Sequence, residues 1–249
     1  MKNVGFLGCG KIGKAMLNDL IEENKHKVSF VCDPYFKEEG SFEVVEQISD
    51  EYLEKTDLVI EAAMSSVLKE NIDKILRHCD LMVFSVTAFA DEEFYNHTVE
   101  LARKYKKTLY LPHGAIIAID GISAGKKLLK EVTIETIKSP KSLGLTSDKY
   151  EVVYEGSTRG ACKEFPRNVN VHATIALAGL GFDNTCSKII ADPAVKTNTH
   201  LIYVEGEGIN FKIDVSSITT GGVTGKYTPY SAVNSMHKIL DEYTEFKYI

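Results

Sequence analysis

Short apolar segments alternate with segments of helical periodicity over the first 112 residues. Five of the apolar segments have the length of strands: Val4–Gly8, Lys27–Asp33, Asp57–Ala63, Asp80–Val86 and Thr108–Pro112. Continuous apolar runs of this kind are typical of parallel strands that are covered on both faces. Apolar residues at helical spacing separate them, at 12–20, 66–78 and 92–105. The pattern predicts an α/β fold, with an N-terminal Rossmann domain built on a doubly wound parallel sheet.

After Pro112 the pattern changes to strict alternation of polar and apolar residues. Alternation is typical of strands with one buried face, and it favours antiparallel pairing. It occurs at 131–139, 150–156, 186–193, 200–208 and 210–218. The segment 170–181 and the closing segment from Thr228 are predicted to be helical, with Thr228 as cap and Pro229 in the first turn. We therefore predict a dinucleotide-binding domain of residues 1–112 plus 226–249, and an α+β substrate and dimerisation domain of residues 113–225.

Composition excludes several classes of function. The chain has 249 residues, of which 44% are hydrophobic, and its formal net charge is -6. Because the basic residues are scattered, the sequence argues against a nucleic-acid binder. No apolar run approaches the roughly 20 residues of a membrane span, and the first strand leaves no room for a signal peptide. Five cysteines without CxxC spacing indicate neither disulfides nor a metal site, so we predict a cytoplasmic protein that does not bind membranes.

Three glycines between the first strand and the first helix form a G-x-G-x-x-G motif. They are Gly8, Gly10 and Gly13, and Asp33 ends the second strand about 20 residues later. The glycines let the chain turn, let the backbone approach a pyrophosphate and let helix and strand pack closely, and the helix N-terminus favours phosphate. Asp33 would bind the ribose hydroxyls and repel a 2′-phosphate, which favours NAD, although nearby Lys37 leaves NADP open. The predicted cofactor-binding residues are Gly8, Gly10, Lys11, Ile12, Gly13, Asp33, Ala62, Ala63, Thr87 and Ala88.

Histidine is the favoured proton-transfer group for a nicotinamide enzyme, because its pKa lies near working pH. Four of the seven histidines are predicted to be surface residues: His26, His78, His97 and His237. His113 follows the fifth strand, at the sheet edge where ligands bind. His172, in the 170–181 helix, is equally well explained as a packed residue or as a site residue. The residues alone leave the choice between His113 and His200 open.

The chain resembles the L-aspartate dehydrogenase family over essentially its whole length. The most specific matching segments are FPRNVNVHATIALAG and NTHLIYVEG. GCGKIG and PHGAIIAIDGI, which precede them in the chain, also match family segments in the family's order. The resemblance implies that His200 is the catalytic histidine and that Asn168 and Asn170 are the family's paired asparagines. Two segments depart from the family pattern. Ile117 and Ala118 stand where the family usually has glycines, and Ile137 stands where it has an arginine, next to a retained Lys138.

The resemblance implies NAD(P)-dependent oxidative deamination of L-aspartate to iminoaspartate or oxaloacetate and ammonia. His200 would be the base, and Lys138, Asn168, Asn170 and His113 would bind the amino-acid substrate. It also implies a homodimer and a place in amino-acid metabolism, with iminoaspartate as a precursor for NAD biosynthesis. Two other functions stay open, namely a dehydrogenase of the same architecture for another amino acid and a non-catalytic NAD-sensing protein. The asparagines also have a simpler interpretation as helix caps.

Overall fold

A computed structural model describes residues 1–37, 40–146, 148–218 and 225–241 of the chain. The chain divides into two compact units. The first comprises Met1–Pro112 and the segment that begins at Pro229, and the second comprises His113–Thr228. Residues 242–249, which the sequence assigns to the dinucleotide-binding domain, lie outside the described residues.

The first unit is built on a six-stranded parallel sheet with the order β3-β2-β1-β4-β5-β6. This order reverses between β1 and β4, which is the arrangement of dinucleotide-binding sheets. The strands are β1 (Asn3–Leu7), β2 (Lys27–Cys32), β3 (Glu43–Val45), β4 (Leu58–Glu61), β5 (Asp80–Val83) and β6 (Leu109–Tyr110). The helices that connect them are α1 (Lys11–Glu23), α2 (Asp50–Leu53), α3 (Ser65–His78) and α4 (Glu92–Tyr105). The predicted α/β class with a Rossmann-type sheet is confirmed.

Three details of the first unit differ from the prediction, one of which is the unpredicted four-residue helix α2. Strand β3 was not predicted, because it has only three residues, at an exposed edge, and lacks the apolar run of the central strands. The final helix, α9 (Tyr227–Leu240), begins one residue before Thr228, so Thr228 lies inside the helix and is not its cap. Ala232, Met236 and Leu240 of α9 are buried in a core cluster that also contains Val4 and Phe6.

The second unit contains a five-stranded sheet with the order β11-β10-β7-β9-β8. Its strands are β7 (Leu129–Lys138), β8 (Glu151–Ser157), β9 (Thr185–Ala191), β10 (Thr197–Gly206) and β11 (Ile209–Ile218). Its helices are α5 (Ile119–Ala124), α6 (Pro140–Leu143), α7 (Thr158–Glu164) and α8 (Asn170–Ala178). The alternation predicted antiparallel strands, which is wrong for one pair, since β7 and β9 run parallel. One-sided burial produces alternation whichever way the neighbouring strand runs.

The buried face of this second sheet changes from apolar to polar along its central strands. On β7 the buried positions are first Val132 and Ile134 and then Thr136 and Lys138. Strand β10 runs antiparallel to β7, and His200 pairs with Thr136. Helix α8 covers the apolar part, where its Ile175 packs in the same core cluster as Ile134. A group of polar side chains is therefore buried at one end of an otherwise apolar face.

Candidate active site

The glycine loop of the first unit has the geometry that a dinucleotide needs. Gly8 has φ +87°, and a Cβ there would lie 2.7 Å from Ala63 atoms, while a Cβ on Gly13 would lie 2.5 Å from the Gly8 carbonyl oxygen. A Cβ on Gly10 would meet nothing within 4 Å, so the backbone at Gly10 faces open space. Helix α1 begins after Gly10 with no side-chain cap and no acidic residue in its first turn. Its N-terminus is therefore suited to an anionic group.

Asp33 is fixed against this loop. Its Oδ2 accepts a hydrogen bond from the Cys9 main-chain N at 2.7 Å, and its Oδ1 accepts one from the Tyr35 N at 2.8 Å. A carboxylate oxygen has two lone pairs, so each oxygen can accept a further bond. The carboxylate is thus held at the end of β2, where it can accept hydrogen bonds from ribose hydroxyls.

Four of the remaining predicted cofactor residues follow the carboxyl ends of β4 and β5. Ala62 N donates to the Leu7 carbonyl oxygen at 2.9 Å, and Ala63 contacts Gly8 as described. Thr87 and Ala88 are buried in a short 3-10 helix, Val86–Ala90, and Thr87 Oγ1 is 2.8 Å from Ser65 Oγ. Lys11 and Ile12 are the first residues of α1. The described residues at this edge of the sheet fit a dinucleotide.

Glu61 is a structural residue of this edge that the sequence did not single out. It is fully buried at the end of β4. Its carboxylate accepts bonds from Ala63 N, Phe84 N, Ser85 N and Ser85 Oγ. Burial raises the pKa of Glu61, and these bonds act in the opposite direction. They fasten the loop after β4 to the loop after β5, next to the glycine turn.

His200 is the centre of the polar group in the second unit. It lies on the buried face of β10 and is 3% exposed. Burial, followed by the nearby charge of Lys138, lowers the pKa of His200 from 6.5 to about 3. The imidazole is therefore neutral at pH 7. Its Nδ1 lies 2.8 Å from Thr136 Oγ1, and no described residue forms a hydrogen bond with Nε2.

A continuous series of hydrogen bonds extends from His200 into the core. Thr136 Oγ1 lies 2.6 Å from His172 Nε2, and His172 Nδ1 lies 2.9 Å from Ser187 Oγ. Ser187 Oγ lies 2.7 Å from Thr158 Oγ1, which donates to the Thr185 carbonyl oxygen at 3.0 Å. Burial lowers the pKa of His172 well below 6.5, and His200 and Lys138 lower it further. We name this series, from His200 to the Thr185 carbonyl, the histidine relay.

Lys138 follows Thr136 on the same face of β7 and is 3% exposed. Burial lowers the pKa of Lys138 from 10.5 to about 8. Its Nζ donates to the Asn168 carbonyl oxygen at a long 3.4 Å. Asn168 Oδ1 is also buried and has no hydrogen-bond partner among the described residues. A buried cation with one weak bond and a buried amide oxygen with none are both available to a polar ligand.

Asn170 and His113 occupy less decisive positions. The cap of α8 is Val169, with no side-chain cap, so Asn170 is the first helical residue and neither asparagine caps this helix through its side chain. His113 lies in a turn in which its carbonyl oxygen accepts from Ile116 N at 3.2 Å. Among the described residues, no hydrogen bond links the His113 side chain to His200 or Lys138.

The four other histidines are not all on the surface. His97 is half-exposed and is paired with Asp73, as expected of a surface residue. The His26 side chain is only 9% exposed and pairs with Asp241, and His237 contacts both Asp19 and Asp241. The prediction of simple surface positions is therefore wrong for His26 and His237, and also for His78, whose side chain is 18% exposed beside Asp50. His26 and His237 link α1, β2 and α9 within the first unit.

Neither a metal site nor a membrane-spanning helix is found among the residues that the structure describes. No group of three or more His, Cys, Asp or Glu side chains in these residues is arranged to hold a metal ion. Within the same ranges, no helix is long and apolar enough to span a membrane.

Comparisons with known proteins decide the family. A family model described as "Homoserine dehydrogenase, NAD binding domain" matches residues 8–112, and one described as "Aspartate dehydrogenase, C-terminal" matches residues 120–239. An L-aspartate dehydrogenase from Methanosarcina acetivorans is 34% identical, over 97% of this chain and 98% of its own. The chain belongs to the L-aspartate dehydrogenase family. The family member from Thermotoga maritima is 33% identical, over 94% of this chain and 95% of its own.

The fold agrees with that of a solved family member. The crystal structure of aspartate dehydrogenase from Thermotoga maritima matches with a TM-score of 0.81 and 29% identity, and covers 100% of this chain and 99% of its own. A dihydrodipicolinate reductase from Paenisporosarcina shares only the fold, with a TM-score of 0.54 and 14% identity.

The departures from the L-aspartate dehydrogenase pattern have clear positions in the fold. Ala118 has φ +60° and ψ 28°, a left-handed conformation that suits glycine better than alanine. Ile117 is 44% exposed. Ile137 lies between Thr136 and Lys138 on β7, so its side chain is on the opposite face of the sheet. An arginine at position 137 would therefore not share the face that carries His200.

Proposed function

We propose that this chain is an NAD(P)-dependent L-aspartate dehydrogenase and that His200 is its base. The products are the reduced cofactor and iminoaspartate. Water then converts iminoaspartate to oxaloacetate and ammonia. The observation that supports this most strongly is the buried pair of a neutral imidazole and an under-bonded cation, His200 and Lys138. Membership of the L-aspartate dehydrogenase family supports the choice of substrate.

The glycine loop, the α1 N-terminus and Asp33 would hold the cofactor. When bound, the nicotinamide supplies an acceptor for the hydride that leaves the α-carbon of the substrate. An aspartate ammonium group has no lone pair, so the C=N bond can form only after a base removes a proton. His200 Nε2 accepts that proton and releases it to solvent, and the neutral imidazole then takes a proton from the water that attacks the imine carbon.

Lys138 and Asn168 provide the polar contacts that an amino dicarboxylate requires. The Lys138 ammonium pairs with a carboxylate, and the Asn168 amide can donate to a carboxylate or accept from the amino group. Asn170 and His113 extend this set of substrate contacts. A bound carboxylate would offset the charge of Lys138, one of the two causes that lower the pKa of His200. Substrate binding would thus raise the pKa of His200 and make it a stronger base.

Asp33 favours NAD over NADP in this proposal. Its two oxygens accept main-chain hydrogen bonds that hold the carboxylate in place, and its negative charge would repel a 2′-phosphate. Binding of NADP would need Lys37, which is exposed after β2, to offset the repulsion. Comparison of the dissociation constants of NAD and NADP tests this preference.

The assembly and cellular setting extend the same proposal. The second sheet ends in two edge strands, β8 and β11, and pairing of the ten-residue β11 across a two-fold axis would give a homodimer. Light scattering of the purified protein tests the dimer. All five cysteines are free thiols, which suits a cytoplasmic enzyme, and released iminoaspartate would be available to NAD biosynthesis.

The deciding experiment measures NADH formation at alkaline pH from L-aspartate beside a panel of other amino acids. His200→Asn keeps a side-chain nitrogen that can donate to Thr136 but has no basic atom, and His97→Ala is the matched control at a half-exposed histidine. We expect turnover confined to aspartate, lost in His200→Asn and unchanged in His97→Ala.

Two other results would contradict the proposal. Turnover of a different amino acid would mean that the segment with Ile117 and Ala118 has altered the substrate. Binding of NAD without turnover of any amino acid would favour a sensing protein.

A further inference from the structure

The histidine relay has a direction that is set at its inner end. A carbonyl oxygen can only accept, so Thr158 Oγ1 donates its proton to the Thr185 carbonyl at 3.0 Å. A hydroxyl has one proton, and the Thr158 proton is already used in this hydrogen bond. In the 2.7 Å contact between Thr158 and Ser187, Ser187 must be the donor. The Ser187 oxygen is then left as an acceptor for His172.

The same reasoning passes through His172. Its Nδ1 must donate to Ser187 Oγ, at 2.9 Å, because the only proton of Ser187 is already used. His172 is neutral, since burial lowers its pKa well below 6.5, and a neutral imidazole carries one proton. Its Nε2 therefore has a lone pair and accepts from Thr136 Oγ1 at 2.6 Å.

The last step fixes His200. Thr136 has given its one proton to His172, so in the 2.8 Å contact its oxygen accepts from His200 Nδ1. A neutral His200 with a proton on Nδ1 carries its lone pair on Nε2, the nitrogen that forms no hydrogen bond with any described residue. Each member of the relay is buried, so no bulk water offers an alternative partner.

We propose that Thr136, His172, Ser187 and Thr158 are positioning residues that hold His200 in the Nδ1–H tautomer, with Nε2 as the basic atom. Through these hydrogen bonds, the hydroxyl of Thr158, the first residue of α7, determines which nitrogen of His200 is basic. This inference rests on the proposed function only for its kinetic consequence. The tautomer itself is a property of the protein without substrate.

Removal of the inner hydroxyl should reverse the whole relay. In Thr158→Val the Ser187 proton loses its acceptor and turns to His172 Nδ1. His172 then carries its proton on Nε2 and donates to Thr136, and Thr136 donates to His200 Nδ1. All remaining bonds survive in the opposite direction, but His200 is left with a proton on Nε2 and no base at that atom.

The direct test is nitrogen NMR of protein with 15N-labelled histidine at pH 7.5, with the His200 signals assigned by their loss in His200→Asn. We expect Nδ1–H in the wild type and Nε2–H in Thr158→Val. Thr158→Ser retains the hydroxyl and should restore Nδ1–H. Thr133→Val is the matched control, because it makes the same change on the opposite face of β7. Ser187→Ala offers a second route to reversal if Thr158→Val does not fold.

Kinetics separate this inference from the proposed function. For Thr158→Val we expect kcat with L-aspartate to fall about 100-fold, as for loss of a general base, while KM and the NAD dissociation constant change less than about twofold. An unchanged His200 tautomer in Thr158→Val and Ser187→Ala, or Nε2–H in the wild type, would overturn the inference. Reversal of the tautomer with unchanged kcat would uphold the relay and refute His200 as the base.

Discussion

Lys138 gives the most quantitative prediction, because the protein stabilises its charge poorly. It is 3% exposed, and among the described residues its ammonium forms one hydrogen bond, the 3.4 Å bond to the Asn168 carbonyl oxygen. Burial lowers the pKa of Lys138 from 10.5 to about 8. Each pH unit of this kind corresponds to about 1.4 kcal/mol, so keeping Lys138 charged costs the folded protein about 3 kcal/mol below pH 8.

Lys138→Met retains most of the stem and removes the charge. We expect the free energy of unfolding at pH 7 to rise by about 2–3 kcal/mol, the charging cost less small losses of packing. An unfolded lysine keeps its proton up to pH 10.5, whereas folded Lys138 loses it near pH 8. The unfolded state therefore binds more protons between these values, so wild-type stability gains on the variant as pH rises, and the difference disappears by pH 10.5.

Urea denaturation followed by circular dichroism measures this difference, since the chain has no tryptophan to report by fluorescence. Lys130→Met, at an exposed position of the same strand, is the matched control and should change stability by less than about 0.5 kcal/mol. The variant at Lys138 should also raise KM for L-aspartate, because the carboxylate loses its cation. A less stable Lys138→Met at pH 7, or a difference that does not change up to pH 10.5, would refute the reasoning.

Three further substitutions test the site and its surroundings. Ala118→Gly should stabilise the protein by about 1 kcal/mol, because it removes an alanine from a left-handed conformation. Ala102→Gly inside α4 should destabilise the protein by about that amount. Equal losses of unfolding free energy for the two variants in urea denaturation would contradict this. Gly10→Ala has room for its Cβ and should fold normally but weaken NAD binding more than about tenfold, while Gly13→Ala, 2.5 Å from a main-chain oxygen, should also lower stability. Calorimetry with equal NAD affinity for Gly10→Ala and wild type would exclude the loop as the cofactor site. Asp33→Asn should lower the preference for NAD over NADP, and an unchanged ratio of dissociation constants would show that Asp33 does not select the cofactor.

The sequence predicts the first sheet well because its central strands are apolar throughout. Burial on both faces leaves a signal that needs no knowledge of neighbours. The edge strand β3 was not predicted, because it has only three residues and none of them is buried. The parallel pairing of β7 with β9 was not predicted either, since alternation shows which face of a strand is buried and says nothing of strand direction.

Part of the candidate site can be predicted from residues close together in sequence, and part depends on residues far apart. The glycine loop is a local motif, and its conformation follows from its own residues. The histidine relay joins side chains that are 15 to 64 residues apart in sequence, so no spacing rule reveals it. One local signal was present: Thr136 and Lys138 on β7, and His200 on β10, occupy the positions in the alternation that are otherwise apolar. Polar residues at positions that should be buried mark a built site, and the alternation puts each of the three on the buried face of its own strand.

The role of His200 is tested most directly by single-turnover formation of NADH from L-aspartate, with enzyme in excess, in the wild type and in His200→Asn. Single turnover removes product release from the measured rate. We expect the variant to bind NAD as the wild type does and to form NADH at least about 100-fold more slowly, because the proton on the substrate amine has no acceptor. NADH formation by His200→Asn at the wild-type rate would contradict the assignment of His200 as the base.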